Sequence, residues 1–322
     1  MRDHYHFVVF SHTSKLLTPR HLPLTLLPLL PGAGDCATHK NKAEVENDFV
    51  SRTAVKLAVL QVCAEFDKLV DLYLKPYPNR FQLWCGIETT DIDKPDYPER
   101  AAAELERCYR KGARGTGELS DKGWGYARNT NAPRDKRLHP DDPRLDLFWD
   151  KCAELKIPAN IHVADHPSCW TPLDVYQERT PDYQHFSQWG KDVPSYQELI
   201  ERRDRALARH PKTRFIACHL GNQGNDLATL SKALDRFPNL MLDISARDYE
   251  VGRAPRAAVK FLTRYRNRVM FGTDMGREKS MYQSWWRLFE TADENMPGRV
   301  WGGTTDWICL PPHSMRSIAG MP

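Results

Sequence analysis

The distribution of hydrophobic residues between Thr213 and Gly276 predicts three strands that are separated by helices. The strands are the short apolar runs 215–218, 240–244 and 269–271, none of which alternates with polar residues. Runs of this kind are buried on both faces, as in a parallel sheet covered by helices. The segments between them are long enough for the crossover helices that parallel strands require. This part of the chain is therefore predicted to belong to a parallel α/β sheet.

The same kind of pattern begins near residue 49 and continues to residue 300. The further strands and helices are predicted at 80–87, 97–111, 145–156, 157–167 and 195–210, and 54–63 fits either a strand or a buried helix. These elements predict an α/β fold, a (β/α)₈ TIM barrel that is distorted or incomplete at both termini. Residues 1–48 and 301–322 lack periodicity, so we predict an irregular N-terminal segment and an irregular C-terminal tail around the barrel 49–300.

The composition changes this picture little. The chain has 322 residues, of which 41% are hydrophobic, and its 46 basic and 42 acidic residues leave a formal charge of +4. This near balance gives no reason to expect nucleic acid as a partner, and no apolar run is long enough to span a membrane. The eight cysteines show no Cys-x-x-Cys spacing, so we interpret them as buried residues in a reducing compartment.

Residues that can bind a metal or transfer a proton stand where predicted strands end. His219 and Asp274 follow two of the three strands described first, and Arg247 follows the strand between them. Glu118 stands at the exit of a short upstream strand, and His162 lies inside another apolar run. In a barrel of parallel strands, the loops after the strand C-termini carry the active site. Because imidazoles and carboxylates together suit divalent ions such as Zn or Mn, these positions predict a catalytic metal site. A packed histidine and a capping aspartate are the structural alternative.

The N-terminal region contains two further signals. His4 and His6 are two residues apart and project from the same face if they lie in a strand, so they can supply two ligands to one ion. A chance pair at a frayed terminus is the alternative. The apolar stretch 22–30 has the length of a signal-peptide core but contains prolines. We predict a cytoplasmic protein, with export through this stretch as the alternative.

Taken together, these motifs resemble the amidohydrolase superfamily. The branch that is most similar is the amidohydrolase-related one, which holds metal-dependent hydrolases and aminocarboxymuconate-semialdehyde-decarboxylase-like enzymes. The resemblance rests on the pair His4-x-His6, Asn-Ile-His162-Val-Ala, Ala-Cys-His219-Leu-Gly, the Pro-Asn-Leu-Met-Leu-Asp-Ile-Ser strand and Phe-Gly-Thr-Asp274. It covers roughly residues 50–296.

The resemblance implies a divalent metal cofactor, Zn or Mn, with one or two ions. The implied ligands are His4, His6, His162 and Asp274. It also implies that His219 is either a ligand of a second ion or the residue that transfers a proton. Many members use a carbamylated lysine as a bridging ligand, and here Glu118 takes that place or only one ion is bound.

Several functions are compatible with these residues. The leading hypothesis is hydrolysis of a C–N or C–O bond in a small molecule, with Asp274 as the base that accepts a proton from metal-activated water. The alternative is non-oxidative decarboxylation of a carboxylated aromatic or unsaturated acid, with His219 transferring the proton. A metal-free lactonase-like barrel and a non-catalytic barrel remnant are further alternatives.

Two residues are candidates for substrate binding. Arg247 suits a carboxylate-bearing small molecule because a guanidinium pairs with a carboxylate through two hydrogen bonds. Trp170 lies in an aromatic insertion at 165–195 and can stack on a ring substrate. For both side chains, contacts inside the protein are the alternative. A homo-oligomer is compatible with the sequence.

Overall fold

The computed structural model describes residues 7–8, 58–62, 66–128, 131–175, 177, 186–272, 274, 288–289, 297–299 and 305–307. The predicted N-terminal segment 1–48 lies outside these residues except for 7–8, and the predicted tail 301–322 lies outside them except for 305–307. The division of the chain into a barrel and two flanking segments therefore stays a prediction.

One sheet of eight strands, paired in sequence order, organises the described residues. Each pair from β2–β3 to β7–β8 is parallel, whereas β1 and β2 are antiparallel. The strands are β1 (Phe7–Val8), β2 (Ala58–Val62), β3 (Phe81–Cys85), β4 (Thr116–Asp121), β5 (Ala159–Val163), β6 (Phe215–Ala217), β7 (Leu240–Asp243) and β8 (Val269–Met270).

This strand order is that of a (β/α)₈ barrel. Within the described residues, however, β1 and β8 form the two ends of the sheet and are not paired with each other. The prediction of a barrel that is distorted or incomplete is therefore confirmed. A separate antiparallel pair joins β9 (Pro297–Arg299) to β10 (Thr305–Trp307).

Helices connect the parallel strands, as the spacing of the apolar runs predicts. Ser195 caps one of them by accepting a hydrogen bond from the main-chain nitrogen of Glu198 at 3.2 Å. Asp226 caps another by accepting a hydrogen bond from the main-chain nitrogen of Thr229 at 3.0 Å. The helices are α1 (Phe66–Leu69), α2 (Tyr97–Arg110), α3 (Asp146–Glu154), α4 (Tyr196–Arg209), α5 (Leu227–Arg236), α6 (Asp248–Arg253) and α7 (Pro255–Arg264).

The central strands are buried on both faces because helices and aromatic side chains cover the sheet there, whereas both residues of β8 are only partly buried. Every residue of β5 and β6 is buried. The fully buried ring of Trp149 on α3 packs edge-on against Phe215 of β6 at 5.2 Å between ring centroids. Its indole nitrogen donates a hydrogen bond to the carbonyl of Pro140 at 3.0 Å, so the polar atom of the ring is satisfied.

The segment 122–141, which we call the β4 loop, is tied to α4 at its far end. The carboxylate of Asp141 is 3.2 Å from the guanidinium of Arg202 and 2.8 Å from that of Arg205, and its carbonyl accepts a hydrogen bond from Arg209 at 2.9 Å. One helix face therefore holds the end of this loop through three arginines. None of the helices in the described part of the chain has the length and hydropathy of a membrane span.

Candidate active site

Glu118 is placed by the close approach of β4 to β5. Gly117 has a φ of 131°, and a side-chain carbon at this position would lie 2.5 Å from the main-chain oxygen of Asn160. Only glycine fits such a position. The register of the two strands shifts between Thr116 and Leu119. Glu118 follows this irregular step. Its side chain is 5% exposed and contacts His162.

His162 lies between two carboxylates. Its Nδ1 is 2.6 Å from Oε1 of Glu118, and its Nε2 is 3.0 Å from Oδ1 of Asp165. The other oxygen of Asp165 is 3.0 Å from the ammonium of Lys122. We call these four residues, Lys122, Asp165, His162 and Glu118, the charged row. With a carboxylate oxygen at each ring nitrogen, His162 is placed to carry two N–H groups, as an imidazolium does.

The pKa values in the charged row follow from these contacts. Burial and the charge of Lys122 lower the pKa of His162, but the contacts with Glu118 and Asp165 outweigh them, so its pKa lies above the usual value. Burial acts to raise the pKa of Asp165, but Lys122 and His162 hold it below its usual value. The pKa of His162 is thus raised and that of Asp165 lowered, and both directions favour an ion pair between them.

His219 is held by its main chain in a tight turn after β6. His219, Leu220 and Asn222 have left-handed backbone conformations, with φ values of 58°, 54° and 55°. The main-chain nitrogen of His219 donates a hydrogen bond to Oδ1 of Asp243 at the end of β7, at 3.0 Å. The same oxygen accepts hydrogen bonds from the main-chain nitrogen of Ser245, at 3.0 Å, and from its hydroxyl. A single carboxylate therefore organises the ends of β6 and β7.

Burial raises the pKa of Asp243, although hydrogen bonds from Ser245 and from the main chain of His219 act in the opposite direction. The sequence pattern does not single out Asp243 or Ser245 as functional. The signal that could have found them is their position at a strand exit, in the Leu-Met-Leu-Asp-Ile-Ser segment that also leads to Arg247.

The imidazole of His219 faces two carboxylates with one of its nitrogens. Nδ1 lies 2.8 Å from the carbonyl oxygen of Ser245, which can only accept, so Nδ1 carries the hydrogen and Nε2 carries the lone pair in the neutral ring. Nε2 is 3.6 Å from Oδ2 of Asp274 and 3.9 Å from Oε2 of Glu118. These distances are too long for hydrogen bonds. They suit two groups that contact one atom between them.

A divalent ion fits this donor set. Two ligand atoms on a tetrahedral ion with bonds of about 2.1 Å are roughly 3.4 Å apart, close to the separations at His219. In the described part of the chain, potential ligand atoms of Glu118, Cys218 and His219 all lie within 4.8 Å of one another. Burial and the nearby carboxylates raise the pKa of the Cys218 thiol well above its usual value, and the thiol contacts the side chain of Asn160.

The structure brings four of the predicted site residues to one edge of the sheet. Glu118 and His162 lie within β4 and β5, and His219 and Asp274 follow the last residues of β6 and β8 after short turns. Glu118 is therefore placed inside its strand and not at the exit that the sequence predicts. The rings of His162 and His219 pack edge-on at 4.5 Å. Since both nitrogens of His162 face carboxylates, its role as a metal ligand stays a prediction. His4 and His6 lie outside the described residues.

The two predicted substrate-binding residues contact other parts of the protein. Arg247 is 5% exposed; it donates to the side chain of Asn222 and to the carbonyl of Ala246, and lies 3.2 Å from Glu250. The indole nitrogen of Trp170 donates to the carbonyl of Pro194 at 2.9 Å. These are the structural alternatives that the sequence left open, and a role in substrate binding stays a prediction for both residues.

The β4 loop is fixed at its start by Asp121, which the sequence pattern does not single out either. One carboxylate oxygen of Asp121 accepts hydrogen bonds from the main-chain nitrogens of Gly123 and Gly125, each at 2.9 Å. The other lies 2.6 Å from Nδ1 of His139, whose side chain is 2% exposed. Lys122 is thereby held at the exit of β4.

Comparison with known proteins gives a family and several similar folds. The family model described as Amidohydrolase matches residues 86–300, more than half of the chain. A search of the curated proteins finds no match.

Among the solved structures that are similar, one is an uncharacterised TIM-barrel protein from Bordetella bronchiseptica, with 18% identity over 79% of this chain and 69% of that chain and a TM-score of 0.45. Another is 2,6-dihydroxybenzoate decarboxylase from Rhizobium, with 18% identity over 70% of this chain and 75% of that chain and a TM-score of 0.43. A third is 5-carboxyvanillate decarboxylase from Novosphingobium aromaticivorans with manganese, with 17% identity over 70% and 65% and a TM-score of 0.44. Likenesses at this level do not by themselves identify a reaction.

Proposed function

The chain belongs to the amidohydrolase family, and from this we propose that it is a metal-dependent enzyme that removes the carboxyl group of a small carboxylated aromatic or unsaturated acid as CO₂. The observation that carries the proposal is the arrangement around Nε2 of His219, which faces the carboxylates of Glu118 and Asp274 across 3.9 and 3.6 Å. At this gap the two carboxylates would hold a divalent ion, and Nε2 would transfer a proton to a substrate atom beside that ion.

Glu118 and Asp274 are the described residues that would hold the ion in this proposal. The family resemblance adds His162 and, outside the described residues, His4 and His6. Imidazole and carboxylate ligands suit both Zn and Mn. A divalent ion in this place supplies Lewis acidity toward an oxygen of the substrate.

His219 is assigned the proton transfer. The Ser245 carbonyl fixes its Nδ1–H, so Nε2 is the nitrogen that accepts and returns a proton, and Asp274 is the nearest carboxylate to stabilise the protonated ring. Loss of CO₂ leaves a carbanion that must be protonated. A histidine of fixed orientation beside the reacting carbon meets that requirement.

Burial of the site favours decarboxylation further. The side chains of Glu118, His162 and His219 are between 2% and 5% exposed. A carboxylate loses its water shell in such a place, and its charge spreads as the C–C bond breaks, so exclusion of water lowers the barrier. Hydrolysis, in contrast, needs a water molecule as the second reactant.

Hydrolysis of a C–N or C–O bond is the second candidate. It is supported by Asp274, whose side chain is 12% exposed and so is more accessible than that of His219 beside it. In this alternative Asp274 is the base that accepts a proton from water.

The test uses purified protein loaded separately with Zn and Mn, with salicylate, other carboxylated phenols and unsaturated acids as substrates. We expect CO₂ release and, in D₂O, one deuterium at the carbon that lost the carboxyl group. His219→Asn should lower the rate at least about 100-fold, because general acid–base catalysis contributes that much or more.

The matched control is His210→Asn, a buried histidine that contacts Asp146 and Asp150 outside the site and should leave the rate unchanged. Turnover of amides or lactones without CO₂ release would replace the proposal with hydrolysis. Full activity after chelation would replace it with the metal-free alternative.

A further inference from the structure

We propose that Lys122 binds the carboxylate of the substrate and thereby determines which acids the enzyme accepts. The inference rests on the proposed function, because it names the residue that recognises the anionic group of that substrate. It is carried by the position of Lys122, by its accessibility compared with that of two neighbouring arginines, and by the way its main chain is held.

Lys122 is linked to the reacting groups through Asp165 and His162. It is the first residue after β4, the strand that carries Glu118. Its ammonium is 3.0 Å from the carboxylate of Asp165. The other oxygen of Asp165 is 3.0 Å from His162, and His162 is 2.6 Å from Glu118. The charge therefore stands at the outer end of the charged row, a few side chains from the gap at His219.

The side chain of Lys122 is more accessible to solvent than those of Arg247 and Arg137. Its side chain is 27% exposed, whereas that of Arg247 is 5% and that of Arg137 is 1% exposed. Arg137 donates to the carbonyls of Gly123 and Asp192 and stacks on an indole ring, so its guanidinium is engaged within the protein. An ammonium has three donor hydrogens, and the carboxylate of Asp165 lies on one side of it. A substrate carboxylate can therefore be added without breaking the pair.

The main chain at Lys122 is held in place before a ligand arrives, and the contact with Asp165 orients its ammonium. Asp121, directly before Lys122, fixes the main-chain nitrogens of Gly123 and Gly125 directly after it, and is itself held by His139. A cation on a fixed backbone loses less conformational freedom when it binds an anion, which strengthens binding.

An aromatic ring stands beside this cation. The ammonium of Lys122 lies 4.6 Å from the ring centroid of Phe186, a residue of the insertion after β5. A flat acid can place its carboxylate on Lys122 and its ring against Phe186.

The experiment measures binding of salicylate and of the neutral salicylamide to the metal-loaded full chain by calorimetry. For Lys122→Met we expect binding of salicylate to weaken roughly 10- to 100-fold, the usual range for a charge-assisted hydrogen bond, with salicylamide unaffected. Metal content should equal that of the unchanged protein. Lys122→Arg, which keeps the charge and the link to Asp165, should restore most of the binding.

The matched control is Lys136→Met, which removes an ammonium that is 67% exposed from the same loop and should leave both ligands unaffected. Equal weakening of salicylate and salicylamide would show a structural role and overturn the proposal. So would unchanged salicylate binding in Lys122→Met, or no binding of salicylate by the unchanged protein. Because CO₂ release is measured separately, its absence together with Lys122-dependent salicylate binding would overturn the proposed reaction and not the carboxylate site.

Discussion

The two histidines of the site touch each other but are held in opposite ways. His162, on the β4–β5 side, lies between the side-chain carboxylates of Glu118 and Asp165. His219, on the β6–β7 side, is held by the carbonyl of Ser245 and, through its main chain, by Asp243. His162 has a carboxylate oxygen within hydrogen-bond distance of each ring nitrogen, whereas His219 has a main-chain carbonyl at Nδ1 and carboxylates only at a longer distance from Nε2.

The difference separates two tasks. Carboxylates at both nitrogens stabilise a positive charge on His162 and leave it no lone pair in this arrangement. A carbonyl at one nitrogen fixes the tautomer of His219 and leaves Nε2 to accept a proton or contact an ion. We call the side of His162 the charged half of the site, because it stabilises a positive charge. We call the side of His219 the neutral half, because its ring offers a lone pair at Nε2.

The largest effect is expected from Glu118→Gln, because Glu118 is the residue that both halves share. The amide keeps the shape of the side chain but loses its charge. Its contact with His162 and its proposed bond to the metal are therefore both weakened. We expect metal content to fall and the rate to drop at least about 100-fold, since even the outer partners of metal ligands contribute up to that much. Metal analysis and kinetics measure this. Glu198→Gln, on the surface of α4, is the control, and normal metal content in Glu118→Gln would remove Glu118 from the site.

The neutral half is tested by Asp243→Ala. The change leaves two buried main-chain N–H groups, those of His219 and Ser245, without their acceptor. At about 1–3 kcal/mol for each unsatisfied group, the free energy of unfolding should fall by roughly 2–6 kcal/mol. Asp243→Asn keeps an acceptor oxygen and should lose clearly less. Urea denaturation measures both, and equal losses would show that the carboxylate does not organise the turn.

The charged half is tested by the pH dependence of stability in metal-free protein. The pKa of His162 is raised in the folded chain above its usual 6.5, so its contribution is fully present below pH 6.5 and is lost as the pH rises through the folded value. The pKa of Asp165 is lowered below its usual 3.8, so its contribution is present above that pH and is lost in stronger acid. The unfolding free energy of the unchanged protein should exceed that of His162→Gln most between these limits. A difference that grows above pH 7 would contradict an imidazolium.

The smallest effect is expected from Ser245→Ala. The hydroxyl lies 3.1 Å from Nδ1 of His219, but the carbonyl of the same residue is nearer, at 2.8 Å, and is kept in the variant. The variant loses this contact and the hydrogen bond of the hydroxyl to Asp243, so the unfolding free energy should fall by about 1–2 kcal/mol and the rate should change only a few-fold. Kinetics and denaturation measure this. A large loss of activity would assign the orientation of His219 to the hydroxyl instead of the carbonyl.

The strands and their exits could be predicted from sequence because burial on both faces leaves a simple trace. The runs 215–218, 240–244 and 269–271 agree with the observed strands within two residues, and the uncertain run 54–63 contains the strand Ala58–Val62. Capping residues such as Ser195 fix helix starts locally. Since the C-termini of parallel strands meet at one edge, the exit positions also predict that Glu118, His162, His219 and Asp274 lie together.

Contacts between distant segments could not be predicted in this way. The pairing of Lys122 with Asp165, and that of Arg247 with Asn222, depends on which loops meet above the sheet. A strand exit indicates that an arginine is near the site, but not that a neighbouring amide already engages it. The left-handed turn at His219 has no glycine at the histidine itself to signal it. Composition and spacing therefore predict where the site lies, but not which role each residue has inside it.

The attachment of the β4 loop at both ends has a consequence for how this segment can move. Asp121 fixes the start of the loop to β4, and Asp141 fixes its end to three arginines of α4. A loop with free ends fluctuates on its own in nanoseconds to microseconds, but this one opens only if α4 moves with it or if several ion pairs break together. Its movement is then a slow, collective event, and because the carboxylate of Asp141 is only 10% exposed, dissolved salt should accelerate it little.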